Sequence, residues 1–179
     1  MEPERIVQNF GLKSGDHVAD FGAGHGYFTI PLARSVGSEG KVWAIDIQKA
    51  VLDVVRSKAR IEHLLNIEYV WADLEEAGRS GLSERFMDLV LIGNIMFQAE
   101  RRDVILREAW RVMREKGRLA VIEWDQDGNI EMSKYRVGPS REMRIKKEDA
   151  RALAIQAGFE FDREFSTGPH HYGLLFKKP

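Results

Sequence analysis

Three acids, a glycine cluster and an asparagine, each at the end of an apolar run, are the residues here whose types and spacing can hold a ligand. Asp20-Phe21-Gly22-Ala23-Gly24-His25-Gly26 closes the short run Val18-Ala19 and opens a helical pattern through Phe28, Ile30, Leu32 and Ala33. Such a turn puts unpaired main-chain N–H groups and the positive end of a helix beside the carboxyl edge of a sheet, where a carboxylate or phosphate can sit. Glycine serves there because it accepts positive φ and because its missing Cβ lets a ligand lie against the main chain. The spacing is not the dinucleotide fingerprint GxGxxG, since the third glycine counted from Gly22 would fall on Tyr27. An acid two residues before the first glycine is no part of that fingerprint either.

Further acids follow in order. Asp46 ends the run Lys41-Val42-Trp43-Ala44-Ile45, 20 residues after Gly26, with Ile47 next. In a nucleoside-binding crevice an acid there takes both ribose hydroxyls and repels a 2′-phosphate. Ala72-Asp73-Leu74 follows Ile67-Glu68-Tyr69-Val70-Trp71, and Gly93-Asn94 follows Met87-Asp88-Leu89-Val90-Leu91-Ile92. Any one of these can be an ordinary turn residue; four strand ends in sequence carry the signal. For general-base chemistry the candidates are His25 in the glycine loop and the pair His170-His171, because imidazole titrates near neutral pH. His25 shapes the loop; Asn94, His170 and His171 are the candidate catalytic residues.

The elements that must position these groups alternate as strand and helix up to residue 124, which implies right-handed crossovers and a parallel sheet. Phe159–Phe165 and Tyr172–Phe176 are separated by only six residues, Ser166 to His171. A parallel crossover needs a dozen or more, so these two strands are expected to be antiparallel. The fold expected is α/β: a Rossmann-like three-layer sandwich on a seven-stranded, mostly parallel sheet with an antiparallel last strand. One domain over 1–179 fits the length, with a short N-terminal helix within 1–12 and a stretch at 125–145 long enough for a lid over the site.

Composition narrows the classes. With 44% apolar residues and no cysteine, the chain can bury a core but can form no disulfide, thiolate metal site or cysteine nucleophile. No stretch approaches 18 apolar residues and Met1-Glu2-Pro3-Glu4 is no signal peptide, so a cytoplasmic protein without membrane attachment is expected. A net charge of −1 gives no overall attraction to nucleic acid. Arg107, Arg111 and Arg114 follow i, i+4, i+7 and would form a basic stripe opposite Ile105, Leu106, Ala109 and Met113.

Asp20-x-Gly22-x-Gly24-x-Gly26, with the acids after strands two and three and the terminal hairpin, resembles class I S-adenosylmethionine-dependent methyltransferases, from about Pro3 to Lys178. Within that class the segments Gly40–Asp46, Leu106–Met113 and Gly117–Trp124 are nearest to the ubiquinone/menaquinone C-methyltransferase-like branch. They are scaffold segments, the second feeding the third through a glycine C-cap, and they identify a fold branch rather than a substrate.

The resemblance implies S-adenosylmethionine as cofactor and in-line transfer of its methyl to a small-molecule acceptor. It implies Asp20 near the cofactor ammonium, backbone of Phe21, Gly22, Ala23 and Gly24 along the methionyl tail, Gly26 in the turn and Asp46 with Ile47 at the ribose. Ala72, Asp73 and Leu74 would lie at the adenine, and Asn94 by the sulfonium. Phe97, Gln98, Trp124, Tyr135 and Arg136 would face the acceptor. Asn94-Ile95-Met96-Phe97 lacks both prolines of the nucleobase N-methylase motif, which argues against that substrate. Asp125 and Asp127 have no carboxylate partner at Gly93-Asn94, so no metal is expected. The longer N-terminal segment that covers the site in quinone enzymes is not expected here, since only Pro3 to Phe10 precede the core. Two other readings stay open: a non-catalytic S-adenosylmethionine-binding sensor or partner subunit, and an RNA-modifying enzyme using the arginine stripe. Trp71 and Trp110 leave room for a homodimer.

Overall fold

In the computed structural model, which describes residues 1–126 and 138–179, a seven-stranded sheet runs in the order β3-β2-β1-β4-β5-β7-β6. The strands are β1 His17–Phe21, β2 Lys41–Asp46, β3 Ile67–Trp71, β4 Met87–Gly93, β5 Met113–Trp124, β6 Glu160–Phe165 and β7 His171–Lys177. β1 to β5 pair in parallel, and β7 lies antiparallel between β5 and β6. This is the expected sheet, including its reversed last strand.

The central strands are apolar on both faces because helices cover both. Val18, Leu89, Leu91, Ala120, Ile122 and Leu175 pack toward α1 (Pro3–Val7), α2 (Thr29–Val36) and α3 (Lys49–Ile61). Ala19, Val90, Ile92, Leu119, Val121 and Leu174 pack toward α4 (Arg102–Val112) and α5 (Lys147–Gln156). Alternation with period two assigns each neighbour in a strand to the opposite layer. α1 carries Pro3 in its first turn, where a missing N–H is harmless, and a short 3-10 turn, Gln8–Phe10, follows it.

One local expectation fails. Gly117 does not cap α4: the chain passes from Val112 directly into β5, with Met113 already extended. The left-handed residue is Lys116 (φ +62°). Glycine is required next to it because a Cβ at Gly117 would lie 2.5 Å from Met113 Cγ and 2.8 Å from the Arg114 carbonyl oxygen. The pairing of β4 with β5 slips across this bulge, from Met87↔Met113 to Leu89↔Arg118.

The arginine stripe fails with it. Arg114 lies in β5 and pairs with the buried Asp88, while Arg107 pairs with Asp103 at 2.6 Å and Arg111 with Glu108 at 2.8 Å. Three paired side chains on two different elements make no basic face.

Candidate functional site

The carboxyl ends of β1, β2, β3 and β4 open onto one cleft in two halves. Asp20, Gly22, Ala23, Gly24, Phe28 and Asn94 line one half, about 450 Å³. Ile47, Ala72, Asp73 and Leu74 line the other, about 300 Å³. Gly22, Asp46, Gln48, Ile95 and Gln98 border both. Parallel strands end on the same side, which is why acids far apart in sequence meet here.

The glycine turn is held rigidly. Gly22 and Ala23 donate to the Ile45 carbonyl at 2.9 and 3.0 Å, and Gly26 donates to the Ala23 carbonyl. Gly24 donates to Asp46 Oδ2 at 2.9 Å. The N–H groups of these four residues are therefore engaged within the protein, against the expectation that they face a ligand unpaired. Lys58 on α3 adds a bond to the His25 carbonyl. All three glycines have positive φ, +77° at Gly22, +50° at Gly24 and +80° at Gly26. A Cβ at Gly22 would overlap Ile95 Cγ2, one at Gly26 would press on Val55, and one at Gly24 would meet nothing within 4 Å. Gly24 thus leaves its face open to the cleft, whereas Gly22 is filled from the β4–α4 connection.

Asp20 lies at the cleft floor and is 2% exposed. Burial pushes its carboxyl up to about 7; the Thr29 hydroxyl, donating at 2.6 Å, favours the charged form, and Asp46 disfavours it. A buried acid held this way is stabilised by a cation placed beside it. Asp46 accepts from Gln48 as well as Gly24, at 2.9 Å each, which fixes both carboxylate oxygens. Asp73 accepts the Glu75 N–H at 2.9 Å in a tight turn. Ile47 is 58% exposed on the lip, and the Trp71 indole braces its carbonyl at 2.8 Å. Lys49 lies 3.9 Å over the Trp71 ring.

Asn94 takes a left-handed backbone (φ +56°) that asparagine tolerates well. Its N–H donates to the Ile122 carbonyl at 2.8 Å, and its side-chain Oδ1 is buried without a hydrogen-bond partner among the described residues. Gln98 borders the cleft; Phe97 is half-buried and is not among the lining residues.

His170 and His171 do emerge at the carboxyl edge, where the Asp125 N–H donates to the His170 carbonyl at 2.9 Å. Neither lines the cleft. The His171 ring packs 4.0 Å from the Trp124 ring. Burial lowers it to about 4, helped by the N-terminus, His170 and Arg144. A neutral imidazole of that basicity is a weak proton acceptor at neutral pH. Trp124 is covered by Arg144 and the backbone of Gly138, so it faces these groups instead of the cleft. Tyr135 and Arg136 lie outside the described residues, as does Asp127. Among the described residues no three His, Asp or Glu side chains gather as a metal site, and no helix is long and apolar enough to cross a membrane.

Sequence reasoning missed Thr29, and it placed Ile95 and Glu123 only within strand-end segments facing the acceptor, without their packing and hydrogen-bonding roles. A hydroxyl nine residues after Asp20 was a readable partner; the other two depend on contacts across the sheet.

Comparison with known proteins identifies the family and the fold. Residues 12–158 match the methyltransferase domain family, and the chain belongs to it. The ubiquinone/menaquinone biosynthesis C-methyltransferase of Vibrio campbellii is 32% identical over 117 residues, 65% of this chain and 44% of that protein. The chain thus spans less than half the length of that curated relative. A SAM-dependent methyltransferase from Aquifex aeolicus superposes with a TM-score of 0.86 at 25% identity, covering 99% of this chain and 90% of the other. The cyclase SpnF superposes at 0.81 with 16% identity, covering 99% and 80%, a likeness of fold alone.

Proposed function

We propose that this chain binds S-adenosylmethionine in the cleft and transfers its methyl group to a small-molecule acceptor. The carrying observation is the buried Asp20 on the floor, in one cleft with Asp46, Asp73 and the open face of Gly24. The residues fit the cofactor. Asp20 suits its ammonium group, Gly24 leaves room for the tail, Asp46 suits the ribose hydroxyls, and Asp73 with Leu74 and Ile47 suits the adenine. When bound, the cofactor supplies an electrophilic methyl on a positively charged sulfur. The protein's own work is then to bind and orient; positioning of that kind is worth up to roughly 7–11 kcal/mol. Asn94, in the half that holds Asp20, supplies an acceptor oxygen at the acceptor end.

Calorimetric titration tests this, with S-adenosylmethionine, S-adenosylhomocysteine and NAD offered to wild type and Asp46→Ala. Micromolar binding of the two sulfur compounds without NAD, weakened in the variant, supports the reading; no binding of either overturns it.

Binding without turnover is the second reading. It is favoured by the position of the histidines: His25 alone lines the cleft among the described residues, and it is exposed. The fold also hosts other chemistry, as the cyclase shows. Loss of methyl from bound cofactor in the presence of candidate acceptors separates the two.

A further inference from the structure

Glu123 has no role in the preceding reading, yet it is fully buried at 0% exposure. It sits one residue before the end of β5, opposite Tyr172 of β7, on the side facing α4 and α5. Its Oε1 accepts the Met96 N–H at 2.7 Å, and Arg102 of α4 donates to the Met96 carbonyl at 2.6 Å. The peptide groups flanking Met96 are therefore clamped from both sides, by β5 and by α4. Glu123 Oε2 has no hydrogen-bond partner among the described residues. A buried carboxylate with a free oxygen is destabilising in an apolar layer, so packing alone does not explain it.

The geometric consequence falls on Ile95, the neighbour of Met96. Its Cγ2 fills the space a Cβ of Gly22 would take, and Ile95 borders both halves of the cleft. We propose that Glu123 is a positioning residue of the cleft: it holds the Ile95–Met96 main chain, and so sets how closely Ile95 approaches Gly22 between the two halves. This rests on the cleft being the S-adenosylmethionine site, but its first test does not require a ligand.

Burial raises the Glu123 carboxyl to about 7, against the Met96, Ile95 and Trp124 amides and the charge of Arg102, which lower it. The other groups facing it are the Arg102 guanidinium of α4 and the Tyr172 phenol of β7, the latter raised further by burial. In the full chain, the Ile95 and Met96 amide resonances should move with pH around about 7 and stop moving in Glu123→Gln. Resonances beside Asp20 should titrate in both proteins.

Calorimetry with S-adenosylhomocysteine supplies the second arm. Glu123→Ala should weaken binding about tenfold, roughly 1.4 kcal/mol. Glu123→Gln, which still offers an oxygen to Met96, should stay close to wild type. The proposal is overturned if the Met96 amide does not titrate, or if Glu123→Ala folds and binds as wild type does. If Glu123→Ala does not fold, the amide titration decides. If wild type binds nothing, the proposed function fails while the amide titration still reports on the clamp.

Discussion

Asp46 Oδ2 accepts the Gly24 N–H at 2.9 Å, which makes the acid at the end of β2 and the glycine turn after β1 one rigid unit. Two effects of mutation are then separable. Asp46→Ala removes the charge and leaves the Gly24 and Gln48 amides without their acceptor, so it should lose ~1–3 kcal/mol of stability. Its affinity for S-adenosylhomocysteine should fall at least about tenfold. Asp46→Asn keeps one acceptor oxygen and should lose less stability for a similar loss of affinity. Paired thermal and calorimetric titrations read both quantities.

Asp20 gives the binding a pH dependence. Its carboxyl, raised to about 7, must be ionised to hold a cationic ligand group. Affinity for S-adenosylhomocysteine should therefore decline as pH falls below about 7, approaching a factor of ~10 per pH unit. Asp20→Asn should flatten that profile and bind weakly throughout. A wild-type affinity constant from acid to alkaline pH would remove the ammonium contact.

Stability without ligand should run the other way. Asp20 and Glu123 both have folded-state values raised to about 7, so the folded protein holds protons that the unfolded chain releases. Their stabilisation is full below the ordinary carboxylate range and is lost as pH rises through about 7. Glu123→Gln stays neutral, and should melt above wild type at mildly alkaline pH by a margin that shrinks in acid. Each kcal/mol moves the midpoint by roughly 2–4 °C in a chain of this size. Melting curves at two pH values give the sign directly.

Gly22 and Gly24 should respond differently to alanine. At Gly22 the added methyl meets Ile95 as well as a positive φ, so Gly22→Ala should destabilise by ~2–4 kcal/mol. Ile95→Ala in the same chain should recover the steric part only. At Gly24 the space is open, and Gly24→Ala should carry only the ~1–2 kcal/mol of a left-handed alanine. Its methyl would project into the cleft, so ligand affinity should fall more than stability does. Denaturant midpoints alongside binding constants distinguish the two.

The strand segments, their alternation with helices, the reversed last strand and the strand-end acids were legible because they rest on local signals: short apolar runs, most of them closed by a turn residue. The join at Met113 was not. A glycine four residues past a periodic helix looks like a cap, and only the clash with the Met113 side chain reveals why Gly117 is needed. Arg114 was misplaced for the same reason, since helical periodicity was extended two residues beyond Val112. The burial of Glu123 has no local signal, because it comes from α4, β7 and the β4–α4 connection closing around it. The two histidines reached the expected edge of the sheet without lining the cleft: His171 pairs with Trp124 across the β5–β7 ladder and its ring packs on that indole.

The place of β7 between β5 and β6 also constrains the order in which the molecule can assemble. β6 precedes β7 along the chain but touches the sheet only through it. During synthesis, which proceeds from the N-terminus, β6 must wait as an unattached strand while β5 presents a long apolar edge. The molecule is thus most exposed to misassociation just before its last strand inserts.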